Sequence, residues 1–156
     1  MTPDALSTLL HQTLFGGIAA AGFGILFNFG WRDLVWCALC GALALAVRTL
    51  GTEAGWPLEA ASFVAAAAVG GAGRLLRAGL GVAGNALAVA GCIPMIPGSF
   101  ATQAIFGLFT LSSQPAPGNT QVVTTSVEFM VRVAFTIAAI GAGLLMTTHL
   151  LRRRDF

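Results

Sequence analysis

The chain has 156 residues, of which 56% are hydrophobic and 9% charged, with a mean hydropathy of +0.84. A soluble domain carries about 25% charge, so this is the composition of membrane-spanning helices and not of a soluble enzyme or a disordered chain. The net charge of +2 rests on eight arginines dispersed at helix ends, and without a basic stripe or an aromatic platform it excludes nucleic acid as a partner.

Apolar segments bounded by turn or charge signals lie at about 6–28, 34–50, 58–76, 80–111 and 122–151. Each is long enough to cross a lipid bilayer, which predicts an all-α integral membrane protein forming one polytopic domain over 1–156. The first segment follows Met1-Thr2-Pro3-Asp4, which lacks the basic region of a signal peptide, and is expected to stay. It closes at Asn28 and Arg32, four residues apart. The arginine anchors the span to cytoplasmic headgroups, whereas a buried amide at 28 wants a partner across a helix interface or in a polar cavity.

The second segment carries Cys37-Ala38-Leu39-Cys40 in mid-span, away from the exposed helix start a redox pair needs, so these thiols are expected to pack. Between the third and fourth segments, Gly79-Leu80-Gly81-Val82-Ala83-Gly84 fits G-x-G-x-x-G but follows no strand. Its glycines are therefore those of a loop and a close helix approach, not of a dinucleotide site. His11 and His149 lie near opposite membrane faces with no acidic ligand beside them, so neither a metal nor any other cofactor is expected.

As one continuous helix the fourth segment would be on the order of 45 to 50 Å long, against a hydrocarbon core of about 30 Å. The sequence interrupts it at Ile93-Pro94-Met95-Ile96-Pro97-Gly98-Ser99, where two prolines delete backbone donors and Gly98 frees the dihedrals. Non-helical backbone at membrane depth is tolerated only inside protein or against a wet cavity, so the interruption is expected to face inward. Ser99 is placed to cap the second half-helix, whose positive end favours anions. Thr102 and Gln103 follow it and Asn85 opens the first half, which makes Pro94, Pro97, Gly98, Ser99, Gln103, Asn85 and Asn28 the candidate substrate contacts. Discontinuous helices of this kind serve transporters as binding elements, and the polar inventory suits a small carboxylated solute.

Glu128 and Arg132 stand four apart at the entrance of the last segment, with the acid on the N-terminal side. They form either a structural ion pair or a gating or ion-coupling pair. Small residues recur at four-residue spacing in Gly16/Ala20/Gly24, Ala61/Ala65, Ala66/Gly70, Ala83/Leu87/Gly91 and Ala134/Ala138/Ala142. Such seams let helices approach closely within one chain or between copies, so homo-oligomerisation is compatible with them.

With the fourth segment crossing once, Arg32, the Arg74/Arg77 loop and the tail Arg152-Arg153-Arg154 share one side, and Arg48 alone dissents. Cytoplasmic loops are enriched in arginine, so this count favours five spans with the N-terminus outside and the C-terminus in the cytoplasm.

Gly22-Phe23, Phe27-Asn28 with Arg32, Trp36-Cys37 and Ile93-Pro94-Met95-Ile96-Pro97-Gly98 occur in that order. Together they resemble the small membrane subunit of the bacterial threonine/serine exporter family, whose two-component members include the succinate exporter. The similarity covers nearly the whole chain. It differs at Phe29-Gly30-Trp31, where a proline commonly follows the Phe-Asn pair, and at Ala101-Thr102-Gln103, where an aromatic commonly follows Pro-Gly. The resemblance implies a half-transporter of the bacterial inner membrane that works with a larger membrane partner. It also implies ion-gradient-driven export of hydroxy amino acids or a dicarboxylate. The rival expectation is a non-transporting scaffold built on the same seams; an intramembrane enzyme lacks a converging acid, base and nucleophile.

Overall fold

The computed structural model describes residues 3–81, 84–113 and 120–150. Among them the chain is all helix: α1 (Pro3–Leu26), α2 (Trp31–Glu53), α3 (Leu58–Leu80), α4 (Gly84–Cys92), a 3₁₀ turn (Ile93–Met95), α5 (Gly98–Ser113) and α6 (Thr120–Leu150). Three stretches, Ala5–Leu26, Trp31–Glu53 and Thr120–Thr147, are long and apolar enough to cross a bilayer, and the pair on either side of the 3₁₀ turn makes a fourth if taken as one span. α3 falls outside this set, because Glu59, Arg74 and Arg77 offset a helix built largely from alanine and glycine.

The chain divides into two compact units, Met1–Met95 with Ala139–Phe156, and Ile96–Ala138. In the first, α1 to α4 close around a core of Ala20, Cys37, Cys40, Val69, Leu87 and Met95 with smaller alanines between them. Few of these side chains are large. The helices are held by close backbone approach, which maximises dispersion contact where lipid supplies no hydrophobic drive between helices. A Cβ on Gly41 would meet Ala20 and the Gly16 carbonyl of α1, and one on Gly91 would lie 2.6 Å from Cys40 Cβ, so α2 is pinched between α1 and α4. Gly73 and Gly84 bring the backbones of α3 and α4 together in the same way.

The Gly16/Ala20/Gly24 seam therefore faces α2, and Ala66/Gly70 faces the C-terminal part of α6 through Gly143 and Thr147. The Thr147 hydroxyl lies 3.1 Å from the Ala67 carbonyl and 2.9 Å from that of Gly143 and shares its proton between them. Ala134, Ala138 and Ala142 are exposed, so this seam is not the face that α6 buries within the chain, which carries Thr136, Ile140, Gly143 and Thr147. Both stripes fit a helical period; the threonines hide their hydroxyls by donating to their own helix's carbonyls, as Thr136 does to Arg132 at 2.8 Å. Ala83 lies outside the described residues.

Cys37, Cys40 and Cys92 are free and buried, and Cys37 Sγ donates to the Ala20 carbonyl at 3.1 Å, which places the C-x-x-C pair in packing. Gly81 stops α3 in the left-handed conformation (φ 68°), its N–H bonded to the Arg77 carbonyl, so this part of the glycine pattern is a helix end.

Candidate functional site

The fourth segment breaks where the prolines stand. Pro94 and Pro97 have no N–H to give to the carbonyls four residues back, so α4 ends at Cys92 and passes into the 3₁₀ turn Ile93–Met95. The chain then tightens further, with the Gly98 N–H reaching the Ile96 carbonyl at 2.8 Å. The α5 ladder begins when the Ala101 N–H bonds the Pro97 carbonyl at 3.2 Å.

That bond makes Pro97, not Ser99, the residue at the helix boundary. The expected Ser99 cap is thereby corrected: Ser99 sits inside the first turn of α5, and its side chain is exposed. The interruption faces inward only in part, since Met95 and Pro97 are buried while Ile96, Gly98 and Ser99 are exposed.

The broken ladder leaves the Met95 carbonyl without a helical donor, at a residue that is fully buried. Its partner comes from α2: Arg48 Nη1 donates to it at 2.6 Å, from a side chain that is itself partly buried. An arginine inside a span usually carries its head to the headgroups. This one spends a charged donor on a freed carbonyl. Sequence reasoning registered Arg48 only as the exception to the arginine count, and that exception was the available signal.

Asn28 has a different task from the one expected. It is exposed and adopts φ 59°, the left-handed conformation in which asparagine follows glycine as the preferred residue. Its N–H bonds the Ile25 carbonyl at 2.9 Å, and the Phe29 N–H bonds the Gly24 carbonyl at 2.9 Å, which is the Schellman pattern closing α1. α2 closes identically around Gly55 (φ 84°), whose N–H bonds Thr52, while the Trp56 N–H bonds Gly51. The expectation of a buried amide seeking a cross-helix partner is corrected on this geometry. Asn85 is exposed in the first turn of α4 and is not brought to the 3₁₀ turn by any described contact.

In the second unit, Gln103 is exposed on α5 and its Nε2 donates to the Ser99 carbonyl at 3.2 Å. It lines an open cavity of about 390 Å³ together with Gly107, Gln121, Thr125, Ser126 and Phe129, between α5 and the N-terminal part of α6. Gly107 is what lets these helices approach, since a Cβ there would strike the Ser126 hydroxyl. Two amides and two hydroxyls stand around this concavity, whose wall is otherwise largely apolar. Gln121, Thr125 and Ser126 were missed in the sequence because they fall where the last segment had only begun to look periodic.

Glu128 and Arg132 meet at 3.8 Å across one helical turn, with side chains 62% and 43% exposed respectively. The Arg132 guanidinium also lies 5.5 Å from the centre of the Phe100 ring, which packs on Phe129 at 5.4 Å. This joins α5 to α6 by a cation–π contact and an aromatic pair worth about 0.5 to 1.5 kcal/mol each. An exposed i, i+4 pair adds about 0.3 to 0.5 kcal/mol.

No group of three or more histidine, cysteine or acidic residues suited to a metal occurs among the described residues. The family description "Threonine/Serine exporter, ThrE" matches residues 12–150. No solved structure matches the chain.

Proposed function

The chain belongs to the threonine/serine exporter family, and from that premise we propose that it is one half of a two-component secondary exporter of small carboxylated metabolites. Membership points to a membrane transporter rather than an enzyme. The further reading is export of threonine- or serine-type amino acids, or of a dicarboxylate such as succinate, across the bacterial inner membrane. A larger membrane subunit of the same family completes the pathway. Five spans, with α4 and α5 forming one broken span, set the N-terminus outside and the C-terminus in the cytoplasm.

The observation that carries this reading is the broken fourth segment within a family match that covers residues 12–150. A scaffold needs only helix seams, whereas this chain keeps two prolines and an irregular turn where an unbroken helix would be more stable. Pro94, Pro97 and Gly98 shape the irregular element, and Ser99 and Gln103 present polar contacts at the start of α5. Arg132 links α6 to α5 over the Phe100 ring while Glu128 pairs with it one turn away on α6, and the proposal keeps this pair as its candidate for gating or ion coupling.

The test is efflux of serine, threonine and succinate from preloaded cells expressing this chain, the larger partner, or both, at matched membrane insertion. Export only from the pair supports the proposal, and export by this chain alone replaces it with a self-sufficient homo-oligomeric carrier. No export from any combination favours the scaffold. The double variant Ser99→Ala/Gln103→Ala inserts normally and lowers export about tenfold, the scale for losing one or two hydrogen bonds of about 1 kcal/mol each. Unchanged export kinetics in that variant removes both residues from the pathway.

A further inference from the structure

Arg48 stands five residues before Glu53, the end of α2, so its Cα lies about 7 to 8 Å along the axis from that terminus. Its long side chain has the reach to place the guanidinium among headgroups, the common fate of such a residue. Instead Nη1 donates to the carbonyl of fully buried Met95 at 2.6 Å. That bond satisfies the carbonyl without neutralising the arginine, because a carbonyl offers a dipole and no countercharge. Among the described residues the ion pair formed is Glu128 with Arg132, and no carboxylate lies within ion-pair distance of Arg48.

Arg48 is half-buried; a charge held partly out of water without a counter-ion is costly, and such residues in spans mark ion or solute pathways. The guanidinium has five N–H donors in a planar fork, whose paired edge matches the two oxygens of a carboxylate. The Met95 carbonyl engages Nη1. The arginine therefore keeps four further N–H donors and a full unit of charge, and an anion of a few oxygens is the ligand that meets both.

We propose that Arg48 receives the carboxylate of the transported solute, with the Met95 carbonyl as its partner when the solute is absent. This deepens the reading above and rests on it, since it requires a carboxylated substrate. A carboxylate seated on the edge of the fork that includes Nη1 draws that nitrogen away from the neutral carbonyl, because pairing of opposite charges makes it the stronger ligand. Its arrival loosens the Arg48–Met95 bond and frees the carbonyl at the 3₁₀ turn. Solute occupancy is thereby linked to the conformation of the break, because the two states differ in the contacts they offer Arg48.

The experiment uses the full chain co-expressed with its larger partner, at matched insertion, and measures efflux against internal concentration for serine and for serinamide, which keeps the side chain but lacks the carboxylate. Arg48→Lys retains the charge and one donor for Met95 but loses the fork; its KM for serine rises about tenfold or more, with the loss in KM rather than maximal rate. Arg48→Gln loses the preference for serine over serinamide. A purely structural arginine gives a different signature, in which insertion or maximal rate falls while KM and the serine-to-serinamide ratio hold; that result overturns the proposal. Arg48→Lys carries the test if Arg48→Gln does not insert. Absence of carboxylate export from the wild-type pair is a separate failure, that of the transport reading, and is settled before any variant is measured.

Discussion

The end of α1 and the end of α4 interrupt apolar helices in opposite ways. At Asn28 the chain closes its own ladder: two backbone bonds of 2.9 Å satisfy the last carbonyls, and the asparagine needs only its tolerance of φ 59°. At Met95 the chain leaves helical geometry between the two prolines, the Gly98 N–H turns to the Ile96 carbonyl instead, and an arginine from another helix supplies the missing donor at 2.6 Å. The first interruption is a turn. The second depends on tertiary structure, and a junction that borrows a donor from elsewhere is the one that a ligand for that donor can switch.

The most damaging way to break the second junction is to push α4 off α2. Gly91 stands two residues before the 3₁₀ turn, and a Cβ there would lie 2.6 Å from Cys40 Cβ and 3.0 Å from its backbone carbon. Backbone cannot yield as a flexible side-chain tip does, so Gly91→Val forces the helices apart and lengthens the Arg48–Met95 bond. Overpacking of this kind costs about 1 to 3 kcal/mol, and a clash with backbone belongs at the top of that range. Thermal unfolding in detergent should show the loss, with Cys92 becoming open to alkylation; a variant as stable and as protected as wild type removes the close approach from the account.

A milder intervention removes the borrowed donor and leaves the helices in place. Arg48→Met keeps an apolar stem but orphans the Met95 carbonyl, which costs about 1 to 3 kcal/mol for an unsatisfied buried acceptor. Arg48→Lys still donates to the carbonyl and keeps an apolar stem, so it stays closer to wild type than Arg48→Met does. The contrast between the two variants isolates the hydrogen bond from the stem. Equal unfolding midpoints for Met and Lys at this position mean that the carbonyl has found another partner.

What the sequence disclosed follows the same division. Prolines act on their own backbone, so the break at 93–98 was legible from residue types alone, and so were the helices and the buried thiols. Ser99 was misplaced by two residues because a proline at the boundary leaves its carbonyl free to begin the ladder, and nothing in Pro97-Gly98-Ser99 ranks the serine below the proline as first residue of the turn. Which face α6 buries within the chain was not legible, since Ala134/Ala138/Ala142 and Thr136/Ile140/Gly143/Thr147 both keep helical spacing, and threonine looks polar until its hydroxyl is seen on its own helix. The Arg48–Met95 bond joins residues 47 apart in sequence, and no local pattern carries it. Only its place as the exception to the expected arginine count pointed there.

The finest test of the comparison is made at Asn28, where the expected effects are smallest and differ in sign by substituent. Glycine adopts φ 59° without a Cβ penalty, so Asn28→Gly should hold stability within about 0.5 kcal/mol of wild type. Alanine must carry a Cβ into the left-handed region, which costs about 1 kcal/mol. If Asn28 serves the turn, export follows stability: the glycine variant transports as wild type does and the alanine variant is lower only in proportion to folded protein. An amide that touched solute would reverse this order of evidence, since glycine and alanine both delete it and both would raise KM by a similar factor whatever their stability. Gly55, at the same position of the next turn, serves as the internal control, because Gly55→Asn should be tolerated for the reason that Asn28 is found where it is.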